Sequence, residues 1–108
     1  MIYELRTYTV LPGHMEDILD RFRTKTMAIF ARLGFEILGF WTVTEPHADR
    51  ELVYLLRWES EAASEACWAA FRDDPEWTET RRVTEENGPL VEEVEEKTMV
   101  ATDFSPMA

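Results

Sequence analysis

Along Ile2–Val10 (IYELRTYTV), alternation with a period of two and a β-branched, aromatic-rich composition predict a β-strand. Tyr3, Leu5, Thr7 and Thr9 fall on one face; Ile2, Glu4, Arg6, Tyr8 and Val10 fall on the other. Pro12-Gly13 breaks that pattern, and the period then changes. From His14 onward, Met15, Ile18, Leu19, Phe22, Ile29, Phe30 and Leu33 recur at spacings of three and four. This is the stripe of an amphipathic helix, with Thr26 filling one gap and Gly34 ending it as a left-handed residue. Two further strands are predicted, Phe35–Thr44 and Leu52–Trp58, with a polar turn over 45–50 between them. Ser60 suits the N-cap of a helix whose stripe is read as Ala63, Ala66, Cys67, Ala70 and Phe71. Asp74-Pro75 supplies the N-cap and first position of a short helix reaching Thr84, and Asn87-Gly88-Pro89 stops it. The last strand is predicted over Leu90–Thr102.

The order β-α-β-β-α-β is the split βαβ, or ferredoxin-like, arrangement of an α+β protein. Right-handed crossovers place the helices on one face of a four-stranded antiparallel sheet. The other face needs cover as well. On the third strand Leu52, Tyr54, Leu56 and Trp58 oppose Val53, Leu55 and Arg57; on the second, Phe35, Ile37, Trp41 and Val43 oppose Leu38 and Phe40. Strands apolar on both faces are buried on both faces. The expected solution is a homodimer packed sheet to sheet, a dimeric α+β barrel, with the single domain spanning 1–108.

Composition narrows the function classes. With 108 residues the chain holds one core, and its 45% hydrophobic content is ample for it. A net charge of −11 repels phosphate backbones and anionic lipid, so neither nucleic acid nor a membrane is an expected partner. A start directly in a strand and the lack of a long apolar run lead to the expectation of a cytoplasmic protein. Cys67, the one cysteine, sits on a helical stripe and reads as an inert, buried thiol.

Candidate chemistry concentrates on the mixed face of the first strand. If Glu4, Arg6 and Tyr8 line an interior, Arg6 is placed to hold an anion or oxyanion and Tyr8 to donate a hydrogen bond. Glu4 is then a base or the partner of Arg6. The competing reading is an Arg–Glu pair that neutralises itself inside the dimer, because buried charges pair whatever the function. Arg57 is placed to join either arrangement. Trp41 and Trp58, with Tyr54, Phe35 and Phe40, form either a cage for a flat ligand or plain core. His14, at a helix start, is a candidate general base or an incidental exposed residue. His14 and His47 are too far apart in sequence to match a metal spacing, and no metal or cofactor is expected. Glu92, Glu93, Glu95 and Glu96 fit an edge strand guarded against further pairing, and the chain after Met99 is placed to reach a partner subunit.

Tyr3-Glu4-Leu5-Arg6-Thr7-Tyr8-Thr9 before Pro12-Gly13, then Gly39-Phe40-Trp41, Asp74-Pro75-Glu76-Trp77 and Thr102-Asp103-Phe104-Ser105-Pro106, fall in an order that resembles the NIPSNAP family, in its small bacterial form. The resemblance covers nearly the whole chain and implies a dimeric α+β barrel. It implies no particular reaction. The expected function is binding of a small, partly apolar organic molecule in the barrel cavity, with or without catalysis. A scaffold module without activity and a cofactor-free monooxygenase are the alternatives. A cavity of about 300 Å³ or more reached by Glu4, Arg6 or Tyr8 separates the first from the second.

Overall fold

Four antiparallel strands, β1 (Ile2–Val10), β2 (Glu36–Thr42), β3 (Glu51–Trp58) and β4 (Val91–Met99), form one sheet in the order β2-β3-β1-β4. They are seen in a computed structural model that describes residues 1–107. Helices α1 (Met15–Arg21), α2 (Met27–Leu33), α3 (Glu61–Asp73) and α4 (Pro75–Thr84) complete the expected ferredoxin-like α+β fold. Their local signals work as the sequence predicts. The Ser60 hydroxyl accepts from the Ala63 N–H, the Asp74 carboxylate accepts from the Trp77 N–H, and Gly34 closes α2 at φ +87°.

The helices cover one face of the sheet. Ile18, Phe22, Ile29 and Phe30 pack with Trp68 and Phe71 of α3 against Leu52, Tyr54, Leu56 and Trp58 of β3. Phe30 stacks on Phe35 at 4.4 Å, and Trp68 meets Phe35 edge-on at 4.8 Å.

Four details depart from the sequence pattern. The helix predicted as continuous from His14 contains a π-helical turn, Phe22–Thr26, between α1 and α2. The Thr26 hydroxyl donates to the Arg21 carbonyl at 3.3 Å there, and Arg21 and Phe22, where α1 runs into this turn, are both buried. On α3 the buried residues are Trp68 and Phe71, while Ala66 and Ala70 are exposed. The much larger apolar area of the indole turns the helix toward Trp68. β4 ends at Met99, short of Thr102, and β2 runs only over Glu36–Thr42.

The fourth departure is a β-bulge at Leu38. Ile37 pairs with Leu56 and Gly39 with Leu55, so one residue of β2 has no partner. The alternation shifts there, and Ile37 and Phe40 share the helix-covered face while Trp41 turns to the other. Phe35, Ile37, Trp41 and Val43 therefore do not share a face. The Trp41 ring folds back across Gly39, where a Cβ would lie only 2.8 Å from it, so glycine is required for that contact.

The open face presents Leu5, Val53 and Leu55, all half-buried, beside Trp41, which is 54% exposed. Near its end, the chain after β4 returns to this face, and the Tyr3 hydroxyl donates to the Met107 carbonyl at 2.9 Å.

Candidate functional site

Register fixes which way the mixed face of β1 points. Glu4 pairs with Leu56, Arg6 with Tyr54 and Tyr8 with Leu52, all residues that face the helices. The expectation that Glu4, Arg6 and Tyr8 would line the space between two sheets is therefore corrected: they lie on the face covered by α3 and the π-helical turn of the same chain. The reason is the antiparallel pairing itself, since directly opposed residues project to the same side.

Glu4 is the centre of a polar node. Its Oε1 accepts from the indole N–H of Trp58 and of Trp68, each at 2.9 Å, and from the Ser64 hydroxyl at 3.4 Å. Its Oε2 accepts from Arg6 Nη1 at 2.8 Å. Every contact is a donor, which is the environment of an ionised carboxylate. The same Arg6 nitrogen reaches Glu96 of β4 at 2.7 Å, and the guanidinium lies 4.1 Å from the centre of the Trp68 ring. Burial opposes the charge of Arg6, but neighbouring Tyr54, Tyr8 and the hydrogen bond to Glu4 outweigh it, and its pKa is raised. The Tyr8 and Tyr54 hydroxyls are 2.8 Å apart. Burial and then the adjacent Tyr8 push the Tyr54 phenol well above its usual range, so it stays neutral.

Beside this node is a cavity of about 660 Å³ between the sheet and the helices. Arg6 and Tyr8 of β1, Trp68 and Phe71 of α3, Trp77 of α4 and Arg21 of α1 all line it. A second arginine unit stands there. Arg21 Nη1 donates to the Glu85 carboxylate at 2.8 Å and to the Thr84 hydroxyl at 3.2 Å, and its guanidinium lies 5.0 Å from the Trp77 ring. Trp77 in turn stacks on Phe71 at 4.6 Å.

Of the candidates read from sequence, Glu4, Arg6, Tyr8 and Trp58 line this cavity. Trp41 and Arg57 do not join them. Trp41 and Trp58 point to opposite faces because of the Leu38 bulge, so they are not two walls of one site. Arg57 projects from the open face and pairs with Glu36. His14 bonds Asp17 at the start of α1, away from the cavity lining. Among the described residues no His, Cys, Asp and Glu cluster is arranged to hold a metal, and no helix is long and apolar enough to cross a membrane.

Arg21, Ser64 and Trp68 were not singled out by sequence reading. One signal for Arg21 was available: it stands three residues after Ile18, on an apolar stripe, where a charged side chain is out of place. Trp68 was hidden by the run of alanines around it, which offers several equally plausible stripes.

Comparison with known proteins agrees with this architecture. No curated sequence is similar enough to this chain to count as a match. Solved structures do match. A NIPSNAP family protein with unknown function from Agrobacterium tumefaciens is 27% identical, covering 100% of this chain and 94% of the other, with a TM-score of 0.83. An uncharacterised NIPSNAP domain protein from Burkholderia xenovorans is 21% identical over 98% and 99%, with a TM-score of 0.84. The cofactor-independent oxygenase SnoaB from Streptomyces nogalater shares the fold at 19% identity, 97% and 96% coverage and a TM-score of 0.63. The NIPSNAP family profile itself matches residues 3–106, nearly the whole chain and including both arginine units, and the chain belongs to the NIPSNAP family.

Proposed function

We propose that this chain is a homodimer in which each subunit binds a small, partly apolar organic molecule in the cavity between its sheet and its helices. The observation that carries this reading is the cavity: about 660 Å³, within the range of small-molecule sites, with Arg6 and Tyr8 on its wall. A scaffold module would need no such space. Native mass spectrometry of freshly purified protein tests it, with a retained mass above that of the polypeptide as the expected result. Tyr8→Phe and Arg6→Ala should reduce that retained fraction without unfolding the chain, since Glu4 keeps three other donors when Arg6 is removed. A bare polypeptide that also takes up no compound from a small-molecule screen overturns the reading.

The second copy belongs on the open face, where Leu5, Val53, Leu55 and the exposed Trp41 form a continuous apolar surface. Sedimentation at micromolar concentration checks this, and a stable monomer refutes it. A cofactor-free oxygenase is a second reading, favoured by the fold shared with SnoaB. Here Tyr8, on the cavity lining, would hydrogen-bond the oxygen of a phenolic substrate, with the Tyr54 hydroxyl behind it. Oxygen uptake with such a substrate, lost in Tyr8→Phe, distinguishes it from binding alone.

A further inference from the structure

Arg6 and Arg21 repeat one arrangement at two places on the same cavity. Each guanidinium lies over a tryptophan, Trp68 or Trp77, and each is ion-paired through Nη1 to a glutamate on the cavity wall. Among the described residues every protein hydrogen bond of either group uses that one nitrogen. Both Nε–H groups are buried and have no acceptor. The Arg21 side chain is only 6% exposed, so water does not make up the deficit at its Nε. Those Nε–H groups are out of reach of a ligand. The Nη2 groups have no protein partner and are not among the buried atoms, so two fixed guanidiniums on the cavity lining each leave an Nη2 donor open.

Free arginine edges ordinarily select carboxylates or phosphates, but charge balance argues otherwise here. In the depth of the cavity Arg6 is matched by Glu4 and Arg21 by Glu85, all with side chains under one-fifth exposed. Over the whole lining, seven glutamates face four arginines. An anion entering this site would be an uncompensated charge in a weakly screened, already acidic surrounding. A cation would meet guanidiniums on the inner wall. A neutral oxygen acceptor satisfies the idle donors without adding charge. We infer that the ligand of this cavity is an uncharged, planar molecule bearing a carbonyl oxygen, held by Nη2 of Arg21 or Arg6 and by the apolar surfaces of Phe71 and Trp77. This rests on the cavity reading above and adds the ligand's chemical class to it.

Three two-ring probes of matched shape provide the test: methyl 2-naphthyl ketone, 2-naphthoate and 2-naphthylmethylammonium, each titrated calorimetrically into the full chain. The ketone should bind most tightly, with the carboxylate weaker by roughly tenfold or more, as expected for one uncompensated charge at partial burial. Arg21→Lys keeps a cation for Glu85 but removes the fork, and should weaken the ketone while leaving the order of the other two unchanged. If that variant does not fold, Arg6→Lys serves the same purpose, and the charge series on the native chain stands without either. Carboxylate or ammonium binding as tightly as the ketone overturns the ligand class and leaves the cavity reading in place. If none of the three binds, this inference falls, while the cavity reading stands or falls on the native mass spectrometry and the small-molecule screen.

Discussion

The two faces of the sheet are alike in apolar content and opposite in what they do with charge. On the covered face Leu52, Tyr54 and Leu56 are at most 1% exposed, and Arg6, with its side chain 14% exposed, is shared by Glu4 and Glu96 over Trp68. On the open face Val53 and Leu55 are only half-buried, and Arg57, 35% exposed, makes a single pair with Glu36. Two arginines on adjacent strands therefore occupy different electrostatic worlds. The helices, by excluding water, turn an ordinary ion pair into a fixed polar node, whereas the open side leaves its pair screened.

That contrast is open to direct attack. Glu4→Ala should be the most damaging change, costing about 3–5 kcal/mol, because it removes the buried one of the two carboxylates that pair with Arg6 and leaves two buried indole donors without an acceptor. Urea unfolding measures it, and a loss below about 1 kcal/mol would show that the node does not hold the covered face together. Tyr54→Phe should cost about 1 kcal/mol through the lost hydroxyl contact with Tyr8. It should also change the alkaline limb of stability. The Tyr54 pKa is higher in the folded state than its usual 10.0, so its contribution is complete below pH 10 and decays as pH rises above that value. Thermal melts from pH 8 to 11 should show a shallower decline in Tyr54→Phe than in the native chain. Smallest of all should be Arg57→Ala on the open face, under about 1 kcal/mol and diminishing further in salt. An equal loss from Arg57→Ala and Glu4→Ala would erase the distinction between the faces.

Much of this arrangement was legible in the chain. The four strands, the N-caps at Ser60 and Asp74 and the helix stop at Gly34 all follow from local chemistry that acts over a few residues. The grouping of Glu4, Arg6 and Tyr8 was legible too, because alternation decides which residues share a face. It does not decide what covers that face, and sheet-to-sheet packing satisfies the same pattern as helix cover. The bulge at Leu38 was invisible for a related reason: a strand with apolar residues at every position shows no break when one residue is skipped. Arg21 follows the regular period of α1, but its partner Glu85 lies 64 positions away, which no local pattern discloses.

Glu4 ties residues far apart in the chain, since Trp68 is 64 positions away and approaches only when α3 is seated on the sheet. The two indole protons held by its single oxygen are therefore a built-in clock. The Trp68 proton trades with deuterium when α3 lifts, and the Trp58 proton on β3 is its reference in the sheet, so the two signals resolved by NMR report the opening of α3 without a ligand or a label.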